Sequence, residues 1–536
     1  MSEQAGKVAR LRPALGFTSL AAALALVATG CAQQPVAEKE EVDVSAEATA
    51  GGDLTVLIEI PARSFDPAVD NTMASTGDGA RNAAVFDHLL YLDPATGEAI
   101  PHVAESLTPN DDGTVWTLTL RDGIEFSDGT AYDAEAVKYT YEHIVEVGVQ
   151  AIGRTVDTWT MDVVDPLTLE ITTPEATMHL DKLIADSLPY IVSPTAMEED
   201  PEGFAEDPVG AGPYMLDEWV RDSHEVYVKN PNYWQEGKPH LDSVRMELVS
   251  DAAQRVNAIS TGQADMQTPS ASSDLALIDQ AENAGLNVAS IDVNGGGWIY
   301  LNNQRAPFDD VRAREAIYRA IDRTGLAEVA QGSPSARAIE TLFTETSPFY
   351  AEDLTFPEPD AERAQELFDE LAAEGAPVEF DYVNVAGDVN ARQAQYIQSQ
   401  LSEFENVSVT IDTIDLPAAR ERVFMNRDFD MSPYPGAYRY PDPEPALYNL
   451  LITDGSSNTP GYSNADVDDA LDAARATTDP DERAEQYRIV QERFMADLPG
   501  LFTFQPRIDS VMTDEITGLV VNSRGTLVWS ELGFRE

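Results

Sequence analysis

Residues 118–130 read Leu118-Thr119-Leu120-Arg121-Asp122-Gly123-Ile124-Glu125-Phe126-Ser127-Asp128-Gly129-Thr130. With Trp116 and Thr117 ahead of it, the first part alternates apolar and polar positions, the pattern of a half-buried strand. Asp122-Gly123 supplies a tight turn, Ile124-Glu125-Phe126 a second strand, and Asp128-Gly129-Thr130 another turn. Asp133 then stands where a helix N-cap belongs, with Ala136, Val137, Tyr141 and Ile144 forming an apolar stripe behind it. Outward from this unit the grammar stays mixed. Leu54 to Ile58 reads as a buried strand, Ala84 to Leu90 with Tyr91 as a short helix, and Val163 to Ile171 as a hairpin. Val226 to Val228 and Val244 to Val249 read as strands, Ala252 to Ser260 as a helix ending at Gly262, and Ala264 to Met266 as a strand. That order predicts a parallel crossover in an α/β layer. Helices follow over 311–322, 361–371, 391–404, 466–476 and 481–495, with a strand over 407–411. No internal repeat appears at solenoid or propeller spacing.

The chain has 536 residues, 43% of them hydrophobic, enough for several cores. Acidic residues number 94 against 34 basic, a formal net charge of −60. A polyanion would be repelled by such a surface, so nucleic acid is excluded as a partner. The imbalance fits two origins, an acidic secreted protein from an organism with a biased genome, or a surface adapted to high external salt. Enzyme signatures are missing: no Gly-x-Ser-x-Gly elbow, no His-Glu-x-x-His, and no phosphate-cradling glycine loop. The six histidines lack metal-ligand spacing. The expectation is a binding protein without catalytic residues, metal or cofactor.

The N-terminus points outside the cell. Lys7, Arg10 and Arg12 form a basic start, an almost uninterrupted small apolar stretch runs from Ala14 to Val27, and Leu26-Val27-Ala28-Thr29-Gly30 precedes Cys31. This is the layout of a lipoprotein signal, with Ala28 where leucine is usual, and the apolar stretch is too short for a comfortable membrane span. Cys31, the single cysteine, is the expected lipidation site, after cleavage of residues 1–30. Residues 31–52 read as a flexible acidic tether. The expected location is the outer face of the cytoplasmic membrane, held there by the lipid.

Several short blocks now fall into one order. The opening stretch resembles an "LR-x-G-x-x-F-x-D-G-T" signature. Phe86-Asp87-His88-Leu89-Leu90, Pro101-His102-Val103-Ala104-Glu105-Ser106, Gly210-Ala211-Gly212-Pro213-Tyr214 and Asn230-Pro231-Asn232-Tyr233-Trp234 resemble further blocks of the same family. So do Pro307 to Arg312 leading to Asp322-Arg323, Phe429-Asp430-Met431, and Gly461-Tyr462-Ser463-Asn464 with Asp468. Together, from about Gly51 to Arg507, they resemble the extracytoplasmic solute-binding proteins of ABC importers, family 5, the peptide- and oligopeptide-binding lipoprotein type. The blocks themselves are read as turn glycines, rigid prolines and core aromatics, so they identify the fold and not the ligand.

The resemblance implies an α/β, periplasmic-binding-protein-like fold of two lobes joined by a hinge, with an extra subdomain inserted in the first. The first lobe is expected to comprise 53–81, 208–296 and 498–536, the inserted subdomain 82–207 and the second lobe 297–497. It implies a monomer that traps a small-molecule or peptide ligand between lobes and delivers it to a permease and ATPase. A ligand-sensing surface receptor coupled to signalling is the alternative.

Site candidates come from the same resemblance. Thr76 lies where relatives pair backbone with an extended ligand. Trp298 and Tyr300, two apart on a strand, share one face and are divided between lining the cleft and packing the core. Gly436-Ala437-Tyr438-Arg439-Tyr440-Pro441-Asp442-Pro443 resembles the family's "W-x-x-D-Y-x-D-P" loop, whose first Asp pairs with a peptide amino group. Here that position holds Arg439 and the Trp position holds Gly436. Either ordinary peptides are not bound in the usual way, or an insertion or deletion shifts the register. An anionic or neutral polar solute is expected to suit Arg439 better, with Tyr438 and Tyr440 as walls.

Overall fold

A computed structural model describes residues 48–69, 78–148, 152–270 and 275–536. Thr76 and Cys31 lie outside the described residues. Two mixed sheets dominate. The first has seven strands, in the order Asn287–Asp292, Arg507–Met512, Met266–Gln267, Asp53–Ile58, Ser243–Leu248, His224–Lys229 and Tyr214–Val220. Its central strand, Asp53–Ile58, lies parallel to both Ser243–Leu248 and Met266–Gln267. Helix Ala252–Ser260 makes the crossover between those two, capped by Asp251, whose carboxylate accepts the Gln254 N–H. The expected strand–helix–strand unit is therefore present, with the N-terminal strand threaded through its middle.

The second sheet has five strands, in the order Val407–Ile414, Val378–Val385, Met431–Arg439, Gly295–Leu301 and Gly500–Phe502. A separate four-stranded antiparallel sheet, Ala104–Pro109, Val115–Leu120, Thr168–Thr172 and Thr160–Asp165, holds Trp116 to Leu120. Helix Ala134–Val147 packs on it through Ala136, Val137, Tyr141 and Ile144, and Asp133 caps it as expected. Two local expectations need correction. Ile124 to Phe126 forms no strand, only a lone bridge between Glu125 and Ala131. The helix expected over 84–91 is instead Asp78–Phe86; Asp87, at φ 61°, turns the chain out, and Leu90–Leu92 is a strand.

The signature blocks meet one another. The Asp87 carboxylate accepts Tyr233 Oη–H at 2.9 Å and Trp234 Nε1–H at 3.4 Å, and lies 3.0 Å from His102 Nε2. Gly212 donates its N–H to the Val85 carbonyl at 2.7 Å, and a Cβ there would stand 2.4 Å from Val85 C. Only glycine allows that approach. Asn230 Nδ2 ties down the Gly212 carbonyl. These blocks build the frame, as their reading as turn and core residues implied.

The chain crosses between the two large sheets at Val293–Asn294 and again at Thr503–Pro506, and the crossings run side by side. Val293 N–H donates to the Pro506 carbonyl at 3.2 Å, Thr503 N–H to Gly297 at 2.8 Å, and Gln505 Nε2 to Val293 at 2.7 Å.

Candidate functional site

Strand Met431–Arg439 ends against the start of Gly295–Leu301, with Gly295 opposite Arg439 and Gly296 opposite Tyr438. The pairing is unusually close. A Cβ on Gly295, at φ +115°, would stand 1.9 Å from the Tyr438 carbonyl oxygen, so glycine is required to hold Arg439 where it is. Beyond the strand, Tyr440 N–H donates to the Asn294 carbonyl at 3.1 Å, and Asn294 Nδ2 donates to the Pro441 carbonyl at 3.1 Å. Asp442 is then held by a buried fork, accepting Arg483 Nη1–H at 2.7 Å and Nη2–H at 2.6 Å. Bidentate carboxylate–guanidinium geometry of this kind fixes orientation as well as position.

A cavity of about 960 Å³ opens beside this strand end. Arg439, Tyr438, Tyr434, Gly297 and Trp298 form one wall, Gly387, Asp388, Asn390 and Gln393 another, and Phe504, Pro506 and Arg524 a third. Its volume is at the upper end of small-solute sites. The crossing at Thr503–Pro506 contributes to it through Phe504 and Pro506, and the strand that follows the other crossing contributes Gly297.

Charge in this cavity is unbalanced toward positive. Arg439 Nη1 is buried and has no hydrogen-bond partner among the described residues. Burial lowers the pKa of the Arg439 guanidinium, and Arg524 nearby lowers it further, against Asp186 and Tyr434; an arginine stays charged all the same. Arg524 has a partner, donating through Nε to Asp186 Oδ1 at 2.7 Å and through Nη2 to Oδ2. Asp186 is thus taken up by Arg524, and the Nη1 donor of Arg439 is left over. A buried unpaired donor is costly unless a ligand oxygen meets it.

Other expected residues divide. Tyr438 lines the cavity and donates its hydroxyl proton to the Ala446 carbonyl at 2.8 Å. Trp298 reaches the wall but is only 2% exposed, its ring 4.3 Å from that of Phe502. Tyr300 is not in the lining; it shares a face with Trp298, at 6.5 Å between centroids, and packs against Phe424, Phe429 and Tyr434. Tyr440 is fully buried away from the cavity and donates its hydroxyl proton to the Leu342 carbonyl at 2.7 Å. Alternation alone would put Tyr438 and Tyr440 on one face, but the strand ends at Arg439, and beyond it Asn294 holds the chain through the Tyr440 N–H and the Pro441 carbonyl. Sequence reasoning missed Tyr434, Arg524 and the 385–393 wall. Tyr434 could have been found by stepping back along the strand at period two from Tyr438; Arg524 carries no local signal.

A second cavity of about 670 Å³ adjoins the first, sharing Pro445 and Asn449 with it. Its walls come from 152–187 on one side and 444–475 on the other. Those segments also touch directly: Met178 N–H donates to the Arg475 carbonyl at 3.2 Å, and His179 Nε2 lies 3.2 Å from the Ala474 carbonyl. Among the described residues no cluster of three or more His, Cys, Asp or Glu could hold a metal ion, and no helix is long and apolar enough to cross a membrane.

Comparison with known proteins places the chain. Residues 98–458, more than half of it, match the family model described as bacterial extracellular solute-binding proteins, family 5. The glutathione-binding protein GsiB of Salmonella paratyphi A is 28% identical over 447 residues, covering 78% of this chain and 82% of that protein. Among solved structures, HbpA2 from Haemophilus parasuis superposes with a TM-score of 0.80 at 20% identity, over 90% of this chain and 100% of that one. The ABC transporter substrate-binding protein CtaP from Listeria monocytogenes gives a TM-score of 0.77 at 20% identity, over 91% of this chain and 100% of that one.

Proposed function

The chain belongs to the bacterial extracellular solute-binding proteins of family 5, and from that premise we propose that its cleft takes a carboxylate-bearing solute anchored on Arg439. The protein is the substrate-binding component of an ABC importer: it captures a solute outside the cytoplasm and delivers it to the permease and ATPase. Its fold is the two-lobed binding-protein fold. The alternative reading as a signalling receptor finds no support among the relatives.

The observation that carries the ligand class is the buried, unpartnered Arg439 Nη1 with Arg524 beside it. A guanidinium presents a planar fork that fits a carboxylate, and the low-dielectric wall strengthens the pairing. Glutathione, named for the curated relatives and itself a carboxylate-bearing peptide, is the first solute to test. Charge-assisted hydrogen bonds contribute about 1.5–3 kcal/mol, so Arg439→Ala should weaken a carboxylate ligand roughly ten- to a hundredfold. Calorimetry with glutathione and a panel of carboxylates and matched neutral analogues tests it. Equal affinity of wild type and Arg439→Ala for every acid that binds would remove Arg439 from the site.

The same reading divides the body into lobes built on the seven-stranded and the five-stranded sheets, meeting at the paired crossings, with 82–207 as the insert around the four-stranded sheet. It makes the protein a monomer, lipid-anchored at Cys31. The sequence around that cysteine supports the anchor, and two acyl chains suffice for stable attachment where one is marginal. Cys31→Ser should release the folded protein from the membrane fraction; retention would sink the anchor.

A further inference from the structure

The second cavity holds a buried carboxylate that its neighbours in the chain meet only in part. Glu444 lines it and is 6% exposed, yet its Oε2 has no hydrogen-bond partner among the described residues. Its other oxygen lies 3.4 Å from Arg475 Nε. The Arg475 guanidinium is spread over the Tyr448 ring, 4.9 Å from its centroid, so it does not close over the carboxylate. The loop that presents Glu444 is the one pinned by Asp442, which also accepts the Glu444 N–H at 2.9 Å. Trp159, Leu180 and Leu183 add aromatic and apolar lining to the same cavity, while the Tyr448 ring is already covered by Arg475. Such walls attract cations through the ring faces while excluding water.

We propose that this second cavity is a cation-accepting subsite centred on Glu444, and that the ligand spans both cavities, its positive group at Glu444 and its carboxylate at Arg439. The ligand class is then an amphoteric solute with separated charges, such as a short peptide or another amino-carboxylate. The assignment rests on the carboxylate reading of the first cavity. It restores a place for a ligand ammonium in a chain whose family position for that group holds Arg439. The short helix Ala446–Leu451 stands between the two cavities, Ala446 facing the larger, Tyr448 the smaller and Asn449 both.

The protonation behaviour of Glu444 agrees with a missing partner. Burial pushes its carboxyl up to about 7 against the pull of Arg475, with Asp442 and Asp472 acting upward and Arg483 downward. His179, Glu175 and Arg154 also face the cavity. A ligand ammonium would hold the group ionised, so binding near pH 7 should release up to about half a proton.

The test uses the processed chain with a tripeptide library in three forms, free, N-acetylated and C-amidated, together with glutathione. Native mass spectrometry identifies what is retained, and calorimetry measures the best free member against its two blocked forms. Acetylation should cost tenfold or more in the wild type. Glu444→Gln should cost the free form as much, cost the acetylated form nothing further, and abolish proton release. Equal binding of free and acetylated forms by the wild type overturns the cation subsite while leaving Arg439 in place. Tolerance of amidation overturns the carboxylate anchor instead. Failure of the wild type to retain any member overturns the amphoteric assignment. The wild-type comparison does not depend on how well Glu444→Gln folds.

Discussion

Replacing Asp442 by alanine attacks the foundation of the loop that carries both charged candidates. Asp442 and Arg483 are joined by two hydrogen bonds of 2.6 and 2.7 Å, with side chains only 2% and 8% exposed. Removing one partner of a buried pair strands the other charge, at about 3–5 kcal/mol. The Glu444 N–H loses its acceptor as well, and a buried donor left unmet costs about 1–3 kcal/mol. The two losses share one carboxylate and are not additive, so a destabilisation of about 4 kcal/mol is expected. Arg483 also lies 5.1 Å from the Phe349 ring centroid and 5.4 Å from that of Tyr487. An Asp442→Ala, Arg483→Met double variant keeps apolar contact with those rings without the stranded charge, and should recover more than half of the loss. Urea unfolding followed by tryptophan fluorescence measures both, and calorimetry with the Arg439-dependent ligand reads the displaced loop. Acid should act the same way. Burial raises the Asp442 carboxyl, but Arg483 outweighs it and holds the group below its ordinary value. Its contribution is therefore full at neutral pH and is lost only as pH falls through that lowered value. A loss under about 1 kcal/mol for Asp442→Ala, or a double variant no more stable than the single, would refute this account of the loop.

Gly295→Ala should lower stability by at least about 2 kcal/mol, from a positive φ and a forbidden contact together, and should impair binding with it. An unshifted melting temperature would show that the strand end yields. Burial pushes the His88 imidazole down to about 4, so its folded form stays neutral while the unfolded chain takes a proton below about 6.5. Between those values the stability difference should move in favour of His88→Gln by up to about 3 kcal/mol; parallel urea midpoints for the two proteins across that range would contradict it. With a net charge of −60, the melting temperature should rise with NaCl as the Debye length shrinks from about 30 Å at 0.01 M to about 3 Å at 1 M. A flat response would remove self-repulsion as a factor.

Much of the fold was legible where local rules act alone. Asp133 caps the helix that follows it, as its place before an apolar stripe implies, and the structure shows Asp251 and Asn464 doing the same. The end of helix Asp78–Phe86 was not legible, since Asp87 adopts a left-handed turn without glycine or proline to mark it; its carboxylate is occupied by Tyr233, Trp234 and His102, all distant in sequence. The site shows the same division. Arg439 stood out because it breaks a pattern at a defined position. Glu444 lay five residues further on in plain view, among acidic residues too common for any one to draw notice; only its burial distinguishes it. Arg524 is brought to the cavity by its pairing with Asp186, across most of the chain.

The order of strands in the first sheet also has a temporal meaning. Its central strand is the first one made, Asp53–Ile58, while Arg507–Met512 is inserted between Met266–Gln267 and Asn287–Asp292. At a synthesis rate of about 5–20 residues per second, the early strand waits on the order of half a minute or longer for the last one. Until then Asn287–Asp292 has no neighbour in the sheet. The chain emerges from the ribosome unable to complete its first sheet until the last segment is made, and long-range pairings of this kind form slowly. For a member of an extracellular family such a delay is useful, because a chain that stays threadable until its final segment is made is easier to export.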